Sequence, residues 1–210
     1  MSLHNQIRRK NGQKGFTMIE TLAAIIVLSI GLIGMAVLMS NMMTGGARSR
    51  YMSNAAMLAS EQLENLQRLS ASGTSGPDPE IAVTSGSVAG SLTSDITATV
   101  TSSGSTDVVD YFDSVQLSSI GGAISETYSG KDASGNTNYK TISHAPDGTI
   151  TVTTTSSAPT PAADTLVYHR RWTIEKDAPV PGVRRVTVLV TLTNPAVTKS
   201  VNFQMSTVRP

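Results

Sequence analysis

The sequence predicts an α+β fold: a long N-terminal α-helix packed on a C-terminal antiparallel β-sheet. Three observations carry this reading. No charged residue occurs between Thr21 and Ala47. Beyond Gly45-Gly46, the residues Ala55, Leu58, Ala59, Leu63, Leu66 and Leu69 recur at helical spacing. In the last third, Leu166, Tyr168, Trp172 and Ile174 alternate, as do Val186, Val188, Val190 and Leu192, and then Val201, Phe203 and Met205. Period-two alternation marks strands with one apolar face, and three such strands in succession make a meander able to pack on a helix.

The elements follow in order. Residues 1–15 form a short leader carrying Arg8, Arg9, Lys10 and Lys14. Residues 16–43 are apolar and long enough to cross a bilayer, for which about 20 residues suffice. The basic flank predicts that the leader lies in the cytoplasm and the remainder outside. An ordinary secretory signal is cleaved after its apolar run, at small residues; this run is too long for that and no A-x-A pattern closes it. A plain N-terminal anchor accounts for the hydrophobicity but not for Glu20, a lone carboxylate at the edge of the span. An acid in that position is costly unless paired and is a functional candidate by default. Gly31 and Gly34, with Ser29 and Ala36, supply small residues that let helices approach closely in lipid.

Residues 44–70 continue the helix as an amphipathic half, loosened at Gly45-Gly46, whose leucine stripe is expected in the core. Glu64 and Arg68 stand at i,i+4, the favourable order for a surface pair. Residues 71–79 form a linker, since Gly73, Gly76, Pro77 and Pro79 forbid continuation. Residues 80–210 are then an extracytoplasmic β-rich domain. Its first part predicts short strands at 96–100, 107–112, 139–142 and 149–153, separated by polar loops at 129–138 and 156–163. A hairpin loop at 194–197 joins the last two strands.

Composition limits the chemistry. The chain has no cysteine, so it holds no disulfide, thiolate metal site or cysteine nucleophile. The formal charge is +1, and removing the four leader charges leaves +1 − 4 = −3, which gives no support to binding nucleic acid. Residues 80–164 set Lys131 and Lys140 against an excess of acids, and 165–210 are basic; mutual pairing inside the domain is the expected outcome. A basic face from Arg170, Arg171, Arg184 and Arg185 that touches DNA or another subunit is the sharper alternative. His144 and His169 are isolated, with His169 expected at a surface or strand edge. No G-x-S-x-G elbow, phosphate loop or other catalytic constellation is present. Asp132, Ser134 and Asn136 offer oxygens at every second residue, as calcium loops do, but lack the closing bidentate acid. Asp107, Asp110 and Asp113 do not share a strand face and are expected in a solvated loop or edge. No metal or other cofactor is expected, and no enzymatic activity.

The junction Lys14-Gly15-Phe16-Thr17-Met18-Ile19-Glu20 resembles the class III signal of type IV pilins and pseudopilins. The resemblance implies cleavage after Gly15 by a prepilin peptidase, N-methylation of the new terminus at Phe16, and pairing of Glu20 with a neighbour's terminal amine during filament assembly. From Lys14 to Leu69, and again in Arg171-Trp172-Thr173-Ile174 and the Arg-Arg-Val-Thr-Val-Leu-Val-Thr run, the chain is most similar to minor pilins of the type IV pilus modification (PilV) kind. That pattern often has a Trp closing the penultimate strand, where this chain has Leu192-Thr193-Asn194. The resemblance implies a low-abundance subunit, inserted in the inner membrane with its N-terminus cytoplasmic and then drawn into an extracellular pilus. Its implied partners are the peptidase, other major and minor pilins, the inner-membrane assembly machinery and membrane lipid. Its implied roles are priming of assembly, adhesion, twitching motility or DNA uptake. The alternatives are a minor pseudopilin of type II secretion and, in a different class, a membrane-anchored surface adhesin or binding module.

Overall fold

The computed structural model describes residues 16–70, 76–102, 105–118, 122–131, 136–161, 165–193 and 201–210. One α-helix, α1, runs from Met18 to Arg68 without a break. The predicted loosening at Gly45-Gly46 is not seen, and a Cβ at either position would meet nothing within 4 Å. The chain nevertheless divides into two compact units just after these glycines, at Ala47 and Arg48.

In the first unit every described residue from 16 to 46 is exposed. At 1.5 Å per residue the uncharged stretch is roughly 40 Å long, against a hydrocarbon core of about 30 Å. Its hydroxyls turn back on the helix itself: Thr21 Oγ1 donates to the Met18 carbonyl at 2.8 Å, Ser29 Oγ to Ile25 at 2.7 Å and Thr44 Oγ1 to Ser40 at 2.9 Å. Self-satisfied hydroxyls suit a surface that meets lipid, where an unmade hydrogen bond cannot be rescued by water.

The second unit holds the last turns of α1 and ten strands: β1 (Val88–Gly90), β2 (Thr97–Ser102), β3 (Ser105–Asp110), β4 (Phe112–Ser118), β5 (Ile124–Lys131), β6 (Thr137–His144), β7 (Ile150–Thr155), β8 (Thr165–Lys176), β9 (Arg184–Leu192) and β10 (Asn202–Arg209). Eight strands form one antiparallel sheet in the order β10-β9-β8-β4-β5-β6-β7, with β1 also paired to β8; β2 and β3 make a separate hairpin. The predicted meander is β8-β9-β10. Its register sets Trp172 opposite Val188 and Val190 opposite Phe203.

Strand β8 is long enough to take two partners along one edge, β4 at residues 165–171 and β1 at 173–175. Gly90 ends β1 at φ +76°, where a Cβ would lie 2.3 Å from the Trp172 carbonyl oxygen. Only glycine fits both the backbone angle and the approach.

The leucine stripe does pack in the core. Ala55, Leu58, Ala59, Leu63 and Leu66 are buried in one cluster with Val115, Tyr168, Trp172, Ile174, Val186, Val188 and Val190. The helix end is closed by the last strand: Arg209 Nη1 donates to the Leu66 carbonyl at 2.7 Å and Nη2 to that of Leu69 at 2.6 Å. A guanidinium here satisfies carbonyls that have no helical partner and complements the negative helix end. Asp78 then clasps the turn, its carboxylate accepting from Ser70 N–H at 2.6 Å. Glu64 and Arg68 pair at 2.6 Å as expected.

Several expectations need correction. The stretch 107–112 is not one strand: it breaks at Tyr111 between β3 and β4. The loop expected over 129–138 is strand at both ends, in β5 and β6. Its centre, and the hairpin loop at 194–197, lie outside the described residues. Asp113 is neither loop nor edge but a buried inner residue of β4. His169 lies on β8, an interior strand, and its Nε2 is 2.8 Å from Asp95 Oδ1.

Candidate functional site

Two places in the chain hold charge where physical chemistry disfavours it. The first is the start of α1. Gly15 lies outside the described residues. Phe16 is exposed immediately before the helix, and Glu20 falls in the first turn. The Glu20 and Thr21 N–H groups both donate to the Thr17 carbonyl, at 3.0 and 3.2 Å, so Thr17 flanks the helix start and accepts its first hydrogen bonds. A carboxylate in the first turn is favoured by the positive helix end, by about 0.3–1 kcal/mol. That is a modest return for the only charged residue between Phe16 and Ala47. Phe16 and Glu20 are four apart, the spacing that places two residues on one helix face. Among the described residues of this segment none is a lysine, arginine or histidine that could pair with Glu20.

The second place is inside the sheet. Arg170 sits on β8 among the inward-facing residues Tyr168, Trp172 and Ile174, with its side chain fully buried. Asp113 of β4, equally buried, faces it in register: Asp113 pairs with Arg170 across the strands. The contact is bidentate, Arg170 Nε donating to Oδ1 at 2.7 Å and Nη2 to Oδ2 at 2.6 Å. Glu126 of β5 lies 3.5 Å from Arg170 Nη2, and Glu61 of α1 lies 3.9 Å from Nη1. Tyr128 donates to the far oxygen of Glu126 at 2.6 Å.

Burial works against the Arg170 charge, but the Asp113 hydrogen bonds and field, with Glu126 behind them, outweigh it and raise its pKa further. Glu61 is pushed up by desolvation and by Glu126, against the pull of Arg170. Burial and the neighbouring Glu126 push the Tyr128 hydroxyl well above the usual phenol range. The cluster ties α1, β4, β5 and β8 together. The sequence reading missed it, yet Arg170 shares the parity of Tyr168 and Trp172, and Asp113 that of Val115 and Leu117. A charge falling on the apolar parity of a strand was the available signal.

Two further arginines of the predicted basic face pair within the domain. Arg171 Nε donates to Asp95 at 2.7 Å, and Arg185 binds Glu175 through both Nε and Nη2. A continuous basic face over these four residues is interrupted, because Arg170 is buried and Arg171 and Arg185 are paired with acids. Of the calcium candidates, Asp132 and Ser134 lie outside the described residues and Asn136 is exposed. Among the described residues, no group of three or more His, Cys, Asp or Glu side chains is arranged to hold a metal.

In comparison with known proteins, the prokaryotic N-terminal methylation motif matches residues 10–36. No curated protein and no solved structure matches the chain. The motif supports a type IV pilin-like chain or pseudopilin precursor, a structural subunit rather than an enzyme, anchored through its apolar N-terminal helix.

Proposed function

We propose that this chain is the precursor of a minor pilin of a type IV pilus, processed by prepilin peptidase after Gly15 and methylated on Phe16. The observation that supports this best is a coincidence of position. The methylation motif covers residues 10–36, and the described part of it is an uninterrupted helix, exposed on every side, with Glu20 as its single charge. In the membrane that surface meets lipid; in a filament it meets the same helix of other subunits.

Cleavage frees an amine on Phe16. Glu20 of one subunit then pairs with the amine of a neighbour and fixes the axial stagger of helix on helix. Two unit charges at 4 Å attract by about 4 kcal/mol at an effective dielectric near 20. Desolvation offsets much of that, so the pair selects register more than it adds stability. The outer domain rides on this helix and supplies whatever the pilus presents, whether for adhesion, motility or uptake.

Mass spectrometry of the purified protein tests the reading. A mature chain beginning with methylated Phe16 is expected, and Gly15→Ala is expected to leave the leader in place. A native chain that keeps residues 1–15 in cells with an active peptidase would overturn the proposal. Glu20→Ala is expected to insert normally and to be lost from sheared fibres. Wild-type recovery of that variant in fibres would remove the assembly role of Glu20.

A further inference from the structure

At one end of the eight-stranded sheet β10 is braced against α1: Gln67 Nε2 donates to Thr207 Oγ1 at 2.7 Å, and Arg209 reaches the Leu66 and Leu69 carbonyls. At the other end β7 pairs only with β6, and every one of its residues is exposed. A free edge strand is a template for another strand, and proteins ordinarily blunt it with charge or proline. β7 has neither: from Gly148 to Pro161 no residue is charged, and Ile150–Thr155 contains no proline.

The β6-β7 hairpin fixes which groups are open. Ala145 N–H donates to the Thr149 carbonyl at 2.8 Å, and Gly148 N–H to the Ala145 carbonyl at 3.0 Å, so Ala145 and Thr149 form a hydrogen-bonded pair. Such pairs alternate along an antiparallel ladder. With Ser143 opposite Thr151 and Ile142 opposite Val152, β7 bonds β6 through Thr151, Thr153 and Thr155. The N–H and C=O groups of Ile150, Val152 and Thr154 therefore point away from the sheet. The side chains of these same residues lie on its core side. Leu117, Ile124, His144 and Ile150 form one row across the strands, and Val115, Glu126, Ile142 and Val152 the next. Ile150 is 62% exposed and Val152 56%.

We propose that β7 joins two copies of this chain, the two strands pairing antiparallel about a two-fold axis at Val152. Only registers that set even-numbered residues opposite even-numbered ones bring outward N–H and C=O groups together. The centred register uses all of them: Val152 faces its counterpart and Ile150 faces the counterpart of Thr154. The core sides of both sheets then lie on one face, and Thr151 meets Thr153 on the other. Charge selects this occupant. A charged strand would find nothing of opposite sign on this edge, whereas a second β7 sets no like charges together and supplies matching β-branched side chains. Pairing β7 with β10 of another copy would place Arg209 beside a strand without an acid and would repeat as an open fibre; the two-fold contact closes. Anchoring in one membrane through α1 raises the effective concentration of the copies, so short strands suffice. The inference holds whether or not the chain enters a filament.

The chain has no cysteine, so introduced cysteines report the register. Full-length variants in isolated membranes are oxidised mildly and resolved without reductant. Val152→Cys is expected to give a disulfide-linked dimer in at least about tenfold greater yield than Thr151→Cys, because opposed Cα atoms about 5.5 Å apart can be bridged and offset ones cannot. Coexpressed Thr151→Cys and Thr153→Cys chains are expected to cross-link with each other. Adding Val152→Lys to both sets like charges together at the axis and is expected to reduce that mixed product several-fold. These positions are all exposed, which leaves the core untouched. No dimer from Val152→Cys, or an equal yield from Thr151→Cys, would overturn the pairing. A mixed product indifferent to Val152→Lys would do the same.

Discussion

Residues 16–47 and residues 48–210 solve opposite problems with the same chain. The first stretch keeps its apolar side chains outside and buries nothing within the chain. The second buries a normal core and then places a full ion pair, Arg170 with Asp113, inside it. A hydrophobic surface without an internal partner requires an external one, lipid or another subunit. A charge without water requires a partner of opposite sign in good geometry. The helix therefore depends on its surroundings, and the outer domain does not.

The sharpest way to break this comparison is to separate the parts. The entire core cluster lies after residue 50, so a 48–210 fragment is expected to leave the membrane fraction completely while unfolding as cooperatively as the full chain. Carbonate extraction and near-ultraviolet circular dichroism, which sees Trp172 and the tyrosines, check the two halves of this. A fragment that does not fold would show that the outer domain needs the membrane helix after all.

The next effect is inside the sheet. Removing one partner of a buried ion pair leaves an uncompensated charge, at a cost of about 3–5 kcal/mol. Arg170→Leu and Asp113→Leu are each expected to destabilise by that amount in urea unfolding. The double variant is expected to recover most of the loss, because two leucines need no solvation; Glu126 keeps its hydrogen bond from Tyr128. Additive losses would mean that the cluster acts through Glu61 and Glu126 rather than through the pair.

How far the sequence revealed this structure depends on which face of each strand is apolar. The helix was legible along its whole length, from the charge-free stretch through the leucine stripe. Strands β8 and β9 were legible because, Arg170 and Thr187 apart, their buried positions are Val, Leu, Tyr, Trp and Ile, and β10 was legible from Phe203 and its alternation. Strands β4 and β5 were not. Asp113 occupies an inner position of β4, and among the described residues of β5 the one buried is Thr127. Further along the sheet, β5 and β6 are held by hydroxyl pairs, Ser125 with Ser143 at 2.7 Å and Thr127 with Thr141 at 3.1 Å. Such cross-strand pairs stabilise a sheet without writing apolar alternation into the sequence. In β7 every residue is exposed, so its β-branched composition was the sole signal. The assembly role proposed for Phe16 and Glu20 rests on residue types and spacing within one segment, which a sequence displays directly. The Arg170 cluster joins residues far apart in sequence, and no spacing rule reports such a meeting.

The smallest effect refines the charge cluster and tests its electrostatics without dismantling it. Glu61 faces Glu126, Arg170, Asp113 and His144, and desolvation with the two acids raises its pKa above the ordinary carboxylate value. A carboxyl raised on folding holds its proton more tightly in the folded state. Its contribution is therefore present below the unfolded pKa and is lost as pH rises through the folded value. Ionised Glu61 is thus mildly unfavourable at neutral pH, and Glu61→Gln is expected to stabilise there by on the order of a few tenths of a kcal/mol, since the side chain is half exposed and screened. Two other carboxyls move the opposite way. For Asp95, hydrogen bonds from His169 and Arg171 overcome desolvation, and for Glu175 the Arg185 hydrogen bonds dominate; both pKa values fall. Their stabilisation is present above the unfolded carboxylate range and is lost in acid, in wild type and variant alike. The difference between Glu61→Gln and wild type is therefore expected to vanish as pH falls through the carboxylate range and to grow toward neutrality. A variant less stable than wild type at neutral pH would mean that the attraction to Arg170 across 3.9 Å outweighs the repulsion from Glu126 and Asp113.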